Sequence, residues 1–140
     1  LSVEGEVDKV INFIVNKNIP LSILVNNAGY GLWGFFDKLD YEAQQAMMNV
    51  NITALVKLTH KCLSLLKKQS KAYILNVAST AAYQAVPALS VYAASKAFVL
   101  TFTRGLRFEL KKSNVSVSCL SPGPTDTNFT NRAGMQAMQA

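Results

Sequence analysis

The chain has 140 residues, half of them apolar and 16% charged, a globular composition that excludes an intrinsically disordered segment. Its length suits one domain, and no run of about 18 uncharged apolar residues is present to span a bilayer. The net charge of +6 comes from scattered Lys and Arg, without the clustered stripe or aromatic platform that a nucleic-acid face requires.

The opening "LSVEGEVDKV" carries acids and resembles no secretory leader. It lacks an initial Met, as a processed or partial chain would. Residues 2–16 read as an amphipathic helix with Val3, Val7, Val10, Ile11 and Ile14 on one face. Ser2 suits its cap, and Glu4 and Glu6 suit its first turn. "NIPLS" breaks it, and "SILVN" (22–26) is a continuous apolar run, as a buried parallel strand would be. A glycine-punctuated loop, "NAGYGLWG", follows. Asp40 is placed to cap a long helix reaching about Lys68, with Met47, Val50, Ala54, Leu58, Cys62 and Leu65 as its apolar stripe. His60 lies in this helix with no ligand pattern around it and reads as a partly exposed residue. "AYILNVA" (72–78) is a second buried strand, "STAAYQAVPALS" a loop, 90–112 a second long helix, and "NVSVSCL" (114–120) a third strand. The loop "SPGPTDTNF" and a tail of weak helical character close the chain. Lys67, Lys68, Lys71, Lys111 and Lys112 fall at the expected helix ends, where cations complement the helix dipole. Cys62 and Cys119 sit in apolar contexts and read as free thiols in a reducing cytosol rather than a disulfide.

Alternating helices and strands predict an α/β fold with a parallel sheet and crossover helices. Three parallel strands make a poor free-standing sheet, so one or both edges are expected to take strands not contained in these 140 residues. Ligands of such sheets bind beyond the carboxyl ends of the strands. The loops there, "NNAG", "NVAST" and "SPGPTDT", all open with small or polar residues.

Within the second of these regions, "SVYAASKAF" (90–98) puts Tyr92 and Lys96 one helical turn apart. In isolation the pair reads as a packing ring and a solvated amine. As a pair, the cation would lower the phenol's pKa and ready it for proton transfer. Ser79, at the end of the second strand, reads alone as a turn former; its hydroxyl could also reach an oxygen that the phenol touches. Asn51 lies on the apolar stripe, where a buried amide must satisfy something specific, such as a backbone carbonyl or a water. The alternative is that Asn51 faces water and Asn49 points inward.

In order and spacing, "NNAG", Asn51, Ser79, "YAASK" and "PGPTDT" resemble the short-chain dehydrogenase/reductase family, most closely its ordinary-length bacterial branch acting on carbonyls and alcohols. The resemblance implies part of a Rossmann-like, doubly wound sheet: a single partial domain over 1–140, with three strands from the middle of the fold. It implies cytoplasmic hydride transfer between NAD(P)(H) and a carbonyl or secondary alcohol, with NADP favoured on the likeness alone. Tyr92 would be the general acid/base, and Lys96 would lower its pKa and bind the nicotinamide ribose. Ser79 would hold the substrate carbonyl, and Asn51 a relay water. Asn26, Asn27, Ala28 and Gly29 would shape the sheet and line the cofactor cleft. Pro122 and Gly123 would flank the nicotinamide, and Thr127 would meet its carboxamide. No metal is implied, and a homo-oligomer through the two long helices is.

The family's glycine-rich phosphate loop has no counterpart here, and "GYGLWG" does not replace it because it opens no long helix. Ala82 stands where a glycine is common. The chain is therefore expected to hold one half of a site and to be inactive alone. A non-catalytic binding protein on the same fold is the rival reading, and retention of Tyr92, Lys96 and Ser79 speaks against it. Tyr30, Trp33, Phe35 and Phe36 form either an apolar pocket wall or core, and Met135 and Met138 a substrate flap or an unordered tail.

Overall fold

The computed structural model describes residues 1 and 5–123. Ser2, Val3, Glu4, Thr127, Met135 and Met138 lie outside the described residues. The elements run α1 (Glu6–Asn16), β1 (Ile23–Asn26), α2 (Tyr41–Met48), a π-helical segment (Asn49–Ala54), α3 (Leu55–Leu66), β2 (Ala72–Val77), a 3-10 turn (Thr80–Tyr83), α4 (Ser90–Glu109) and β3 (Val115–Leu120). The three strands form one parallel sheet in the order β1-β2-β3, a partial Rossmann-like α/β fold.

Local chemistry explains the boundaries. Asp40 caps α2 as expected, its Oδ2 accepting from the Ala43 N–H at 2.9 Å. α3 stops at Leu66, short of Lys68. Asn114, just before β3, reaches back to donate to the carbonyls of Leu66, Lys67 and Gln69, satisfying groups the helix end leaves open. α4 likewise ends at Glu109, earlier than the expected 112. α1 begins at Glu6 behind Gly5, whose φ of 86° is left-handed, and the Lys57–Asp8 ion pair at 2.7 Å ties α1 to α3.

The apolar seam of the middle helix differs from the expected stripe. Its buried residues are Gln44, Met47, Asn51, Ala54, Leu55, Thr59, Cys62 and Leu66. Val50, Leu58 and Leu65 are only half-buried. The wider π turn between α2 and α3 is the cause: it holds an extra residue, which rotates everything after it by about one position.

In the register Leu24–Ile74–Val117, alternate strand residues point to one face. There Ile74, Ala72, Val115 and Val117 pack with Cys62 and Leu66 of α3, Leu106 of α4 and Leu110 just past its end, with Ile11 of α1 against the same cluster. The opposite face carries Ile23, Val25, Tyr73 and Leu120, between 41% and 57% exposed. A doubly wound sheet would cover both faces. The described helices pack on one, and β1, expected as fully buried, is buried only at Asn26.

Candidate functional site

The carboxyl ends of the three strands and the first turns of α4 converge. Asn51 is 1% exposed, whereas Asn49 is half-buried, so the inward amide is Asn51. Its Oδ1 accepts from the Tyr30 N–H at 3.1 Å, and its Nδ2 donates to the Tyr30 carbonyl at 3.0 Å and to Ser95 Oγ at 3.0 Å. The buried amide thus finds a backbone carbonyl, one of its two expected partners. Ser95 in turn donates to the Tyr92 carbonyl at 2.7 Å. One π-helical side chain therefore fixes the loop after β1 and the start of α4 together.

Gly29 closes this cluster. A Cβ there would lie 3.1 Å from both Asn51 Oδ1 and Lys96 Nζ. The backbone can approach these two polar ends only because the side chain is missing. Lys96 is buried and donates to the Val77 carbonyl at the end of β2, at 3.0 Å. Its Nζ stands over the Tyr92 ring, 5.8 Å from the centroid.

Ser79 Oγ accepts from the Ala81 N–H at 3.1 Å, capping the 3-10 turn, so it is the turn former that its position suggested. It is also hydrogen-bonded to Tyr92. Tyr92, Ser79 and Lys96 thus meet on one side of the sheet. Pro122 is fastened to this turn, its carbonyl accepting from the Thr80 N–H at 3.0 Å. Gly123 is exposed beside it, and Ala28 is exposed after β1.

The electrostatics depart from expectation. Lys96 was expected to hold the phenol's pKa down, yet burial pushes Tyr92 above the ordinary tyrosine value, and the Ser79 hydrogen bond, pulling the other way, does not overcome it. The lysine is itself buried, with an ammonium directed at a carbonyl. Burial lowers its pKa, and Cys119 partly offsets this.

Asn26 lies deeper than a cleft-lining residue. Its Nδ2 donates to Thr59 Oγ1 at 2.9 Å and to Asn76 Oδ1 at 2.8 Å. Asn76 donates onward to Thr103 Oγ1 at 2.9 Å, and Thr103 to the Val99 carbonyl at 2.6 Å. This polar chain links α3, β1, β2 and α4 under the site. Thr59, Asn76, Ser95 and Thr103 escaped the sequence reading. Each is a small polar residue at a position that strand or helix periodicity turns inward, and that was the available signal. Among the described residues no group of three His, Cys, Asp or Glu could hold a metal.

A half-covered parallel sheet with a hydroxyl–amide–ammonium cluster at its strand ends is part of a Rossmann-like α/β fold, in which ligands bind beyond the carboxyl ends of the strands. The sequence model of the short chain dehydrogenases matches residues 1–137, and the chain belongs to that family. It is 36% identical over 122 residues to an uncharacterized oxidoreductase of Staphylococcus saprophyticus, covering 87% of this chain and 52% of that protein. A Staphylococcus epidermidis counterpart is 30% identical over 130 residues, covering 93% and 56%. The chain thus spans about half the length of these relatives. Among solved structures, a short-chain dehydrogenase from Sphingobium yanoikuyae in complex with NADPH superposes with a TM-score of 0.89 at 27% identity, covering all of this chain and 54% of that one. A 3-ketoacyl-(acyl-carrier-protein) reductase from Brucella melitensis complexed with NADH gives 0.85 at 30% identity, covering 94% and 56%.

Proposed function

We propose that the chain is the proton-transfer half of an NAD(P)(H)-dependent reductase that interconverts a carbonyl compound and a secondary alcohol. The observation that carries this reading is the meeting of Tyr92, Ser79 and Lys96 at the ends of β2 and α4. A carbonyl oxygen becoming an alkoxide needs donors aimed at it. Ser79 accepts from the Ala81 N–H and its hydroxyl lies beside the phenol, so its proton would turn from the phenol to such an oxygen when substrate binds. Tyr92, with its pKa pushed up, keeps its proton at neutral pH and so serves the reductive direction. The phenol gives that proton to the oxygen as the carbon receives hydride, and the phenolate left behind is stabilised by the Lys96 ammonium.

The cradle at Gly29, where a Cβ would crowd Lys96 Nζ, fits close approach of a polar group such as a ribose. Bound NAD(P)H would supply the hydride, the chemistry that a nicotinamide brings. Lys96 and Gly29, with Ala28, Pro122 and Gly123 at the rim, would hold it, and Thr127, outside the described residues, is proposed for its carboxamide on the family likeness alone; Asn51 would serve as a positioning residue, and as a water anchor if a relay operates. NADPH and NADH are both carried by structural relatives. We place the active form in a homo-oligomer built through the long helices, because α4 exposes Phe98 and Phe108 along its outer side.

Tyr92→Phe in the full-length protein tests the assignment. The loss of the transferable proton should lower kcat by about 100-fold or more with nicotinamide binding retained. Unchanged carbonyl reduction in that variant would show that Tyr92 is not the proton donor.

A further inference from the structure

The loops beyond the strand ends, residues 27–39, 78–89 and 121–123, contain two charged side chains among the described residues, Asp37 and Lys38. These are exposed and paired with each other at 3.1 Å. Lys96, the cation nearest Tyr92, is buried and turned to the Val77 carbonyl. Among the described residues of these loops, no arginine fork or free lysine is placed to receive a carboxylate or phosphate, the groups such side chains recognise.

Apart from Ser79 and Lys96, the side chains packed with Tyr92 are apolar. Tyr92 is buried with Met47 and Leu89, and Tyr30, Leu32, Trp33 and Val86 pack against that cluster from the two flanking loops. Tyr30 and Trp33 therefore belong to the wall around Tyr92, whereas Phe35 and Phe36 are 70% and 66% exposed and are not core. A charged substrate brought to this wall would lose its hydration and find no counter-ion among the described residues of these loops, a costly transfer. An uncharged one would exchange water for aromatic and aliphatic contacts.

We infer that the carbonyl compound presented to Tyr92 and Ser79 is an uncharged ketone, or the matching secondary alcohol, with an apolar ring-sized substituent, and that Trp33 selects it. Keto acids and phosphorylated sugars are excluded by the same wall. The inference rests on the reductase reading above and deepens it.

The test uses the full-length protein with NADPH and NADH in turn. 1-Phenyl-1-propanone is compared with the similarly sized anion 4-acetylbenzoate, following both turnover and tryptophan fluorescence. Trp33 is the sole tryptophan of these 140 residues, so quenching that disappears in Trp33→Phe reports binding independently of turnover. The neutral ketone should be preferred in kcat/KM by about tenfold or more. Trp33→Ala should erase that preference mainly through KM, with 2-butanone losing less than the aromatic ketone. Quenching by the neutral ketone without any turnover would support the ligand class while overturning the reductase reading. Equal or better use of the anion, a Trp33→Ala variant that affects all substrates alike, or neither quenching nor turnover would overturn the inference.

Discussion

At Asn51 two separate stretches of chain are held to the π-helical segment by one amide: the loop after β1 through both backbone groups of Tyr30, and α4 through Ser95. The sequence signal for it was an asparagine among apolar helix positions, and the physics of burial made it legible. The direction of the Tyr92 shift was not legible, because a four-residue spacing to Lys96 says nothing about how much water the fold leaves around the phenol. In the folded chain that phenol should titrate above free tyrosine, whose pKa is about 10. Since its folded value is raised, its contribution to stability is complete below the unfolded pKa and is lost as pH rises through the folded one. Ser79→Ala removes the one interaction that lowers it and should move the titration further up. The tyrosinate absorbance of each protein, with that of its Tyr92→Phe counterpart subtracted, reads this directly. A downward move on Ser79→Ala would contradict the assigned hydrogen bond.

Each β-strand begins and ends within one residue of where its apolar run predicted, because continuous apolar stretches have few alternatives inside an α/β domain. Between α2 and α3 the prediction failed for a physical reason. A hydrophobic stripe assumes a constant helical pitch, and Asn49–Ala54 abandons it. The π turn carries Asn51 inward and, a few residues later, turns Thr59 rather than Leu58 toward Asn26. Asn76 is hidden for a different reason, since a continuous apolar run does not mark a polar member that is 0% exposed and bonded on both sides. Asn76→Ala would strip Asn26 and Thr103 of a partner each in a solvent-free interior. The expected loss is about 1–3 kcal/mol of unfolding free energy, as for other buried polar groups left unsatisfied. Denaturant titration of the full-length protein should show a lower midpoint at an unchanged slope, and an unshifted midpoint would mean that the polar chain is energetically idle.

Taken whole, the molecule is dressed on one side. α3 and α4 cover one face of the sheet with the core, while Ile23, Val25, Tyr73 and Leu120 are left open on the other, and β1 pairs on its β2 side within the described chain. Among the described residues no helix is long and apolar enough to cross a membrane. Parallel sheets are ordinarily covered on both faces, so these exposed side chains call for protein cover. With about half the length of its relatives represented, the 140 residues expressed by themselves should self-associate and leave NADPH fluorescence essentially unchanged. A monomeric species at high concentration by light scattering, or a clear nicotinamide emission shift, would contradict this. That much could be read ahead from three strands lacking neighbours; that the bare surface would be one complete face could not, since strand and helix order alone does not say on which side each helix lies. The strand order also sets a timetable for opening. β2 is clasped on both flanks and β1 on one, so amide protons along β1 should trade with solvent deuterium earliest and those of β2 last.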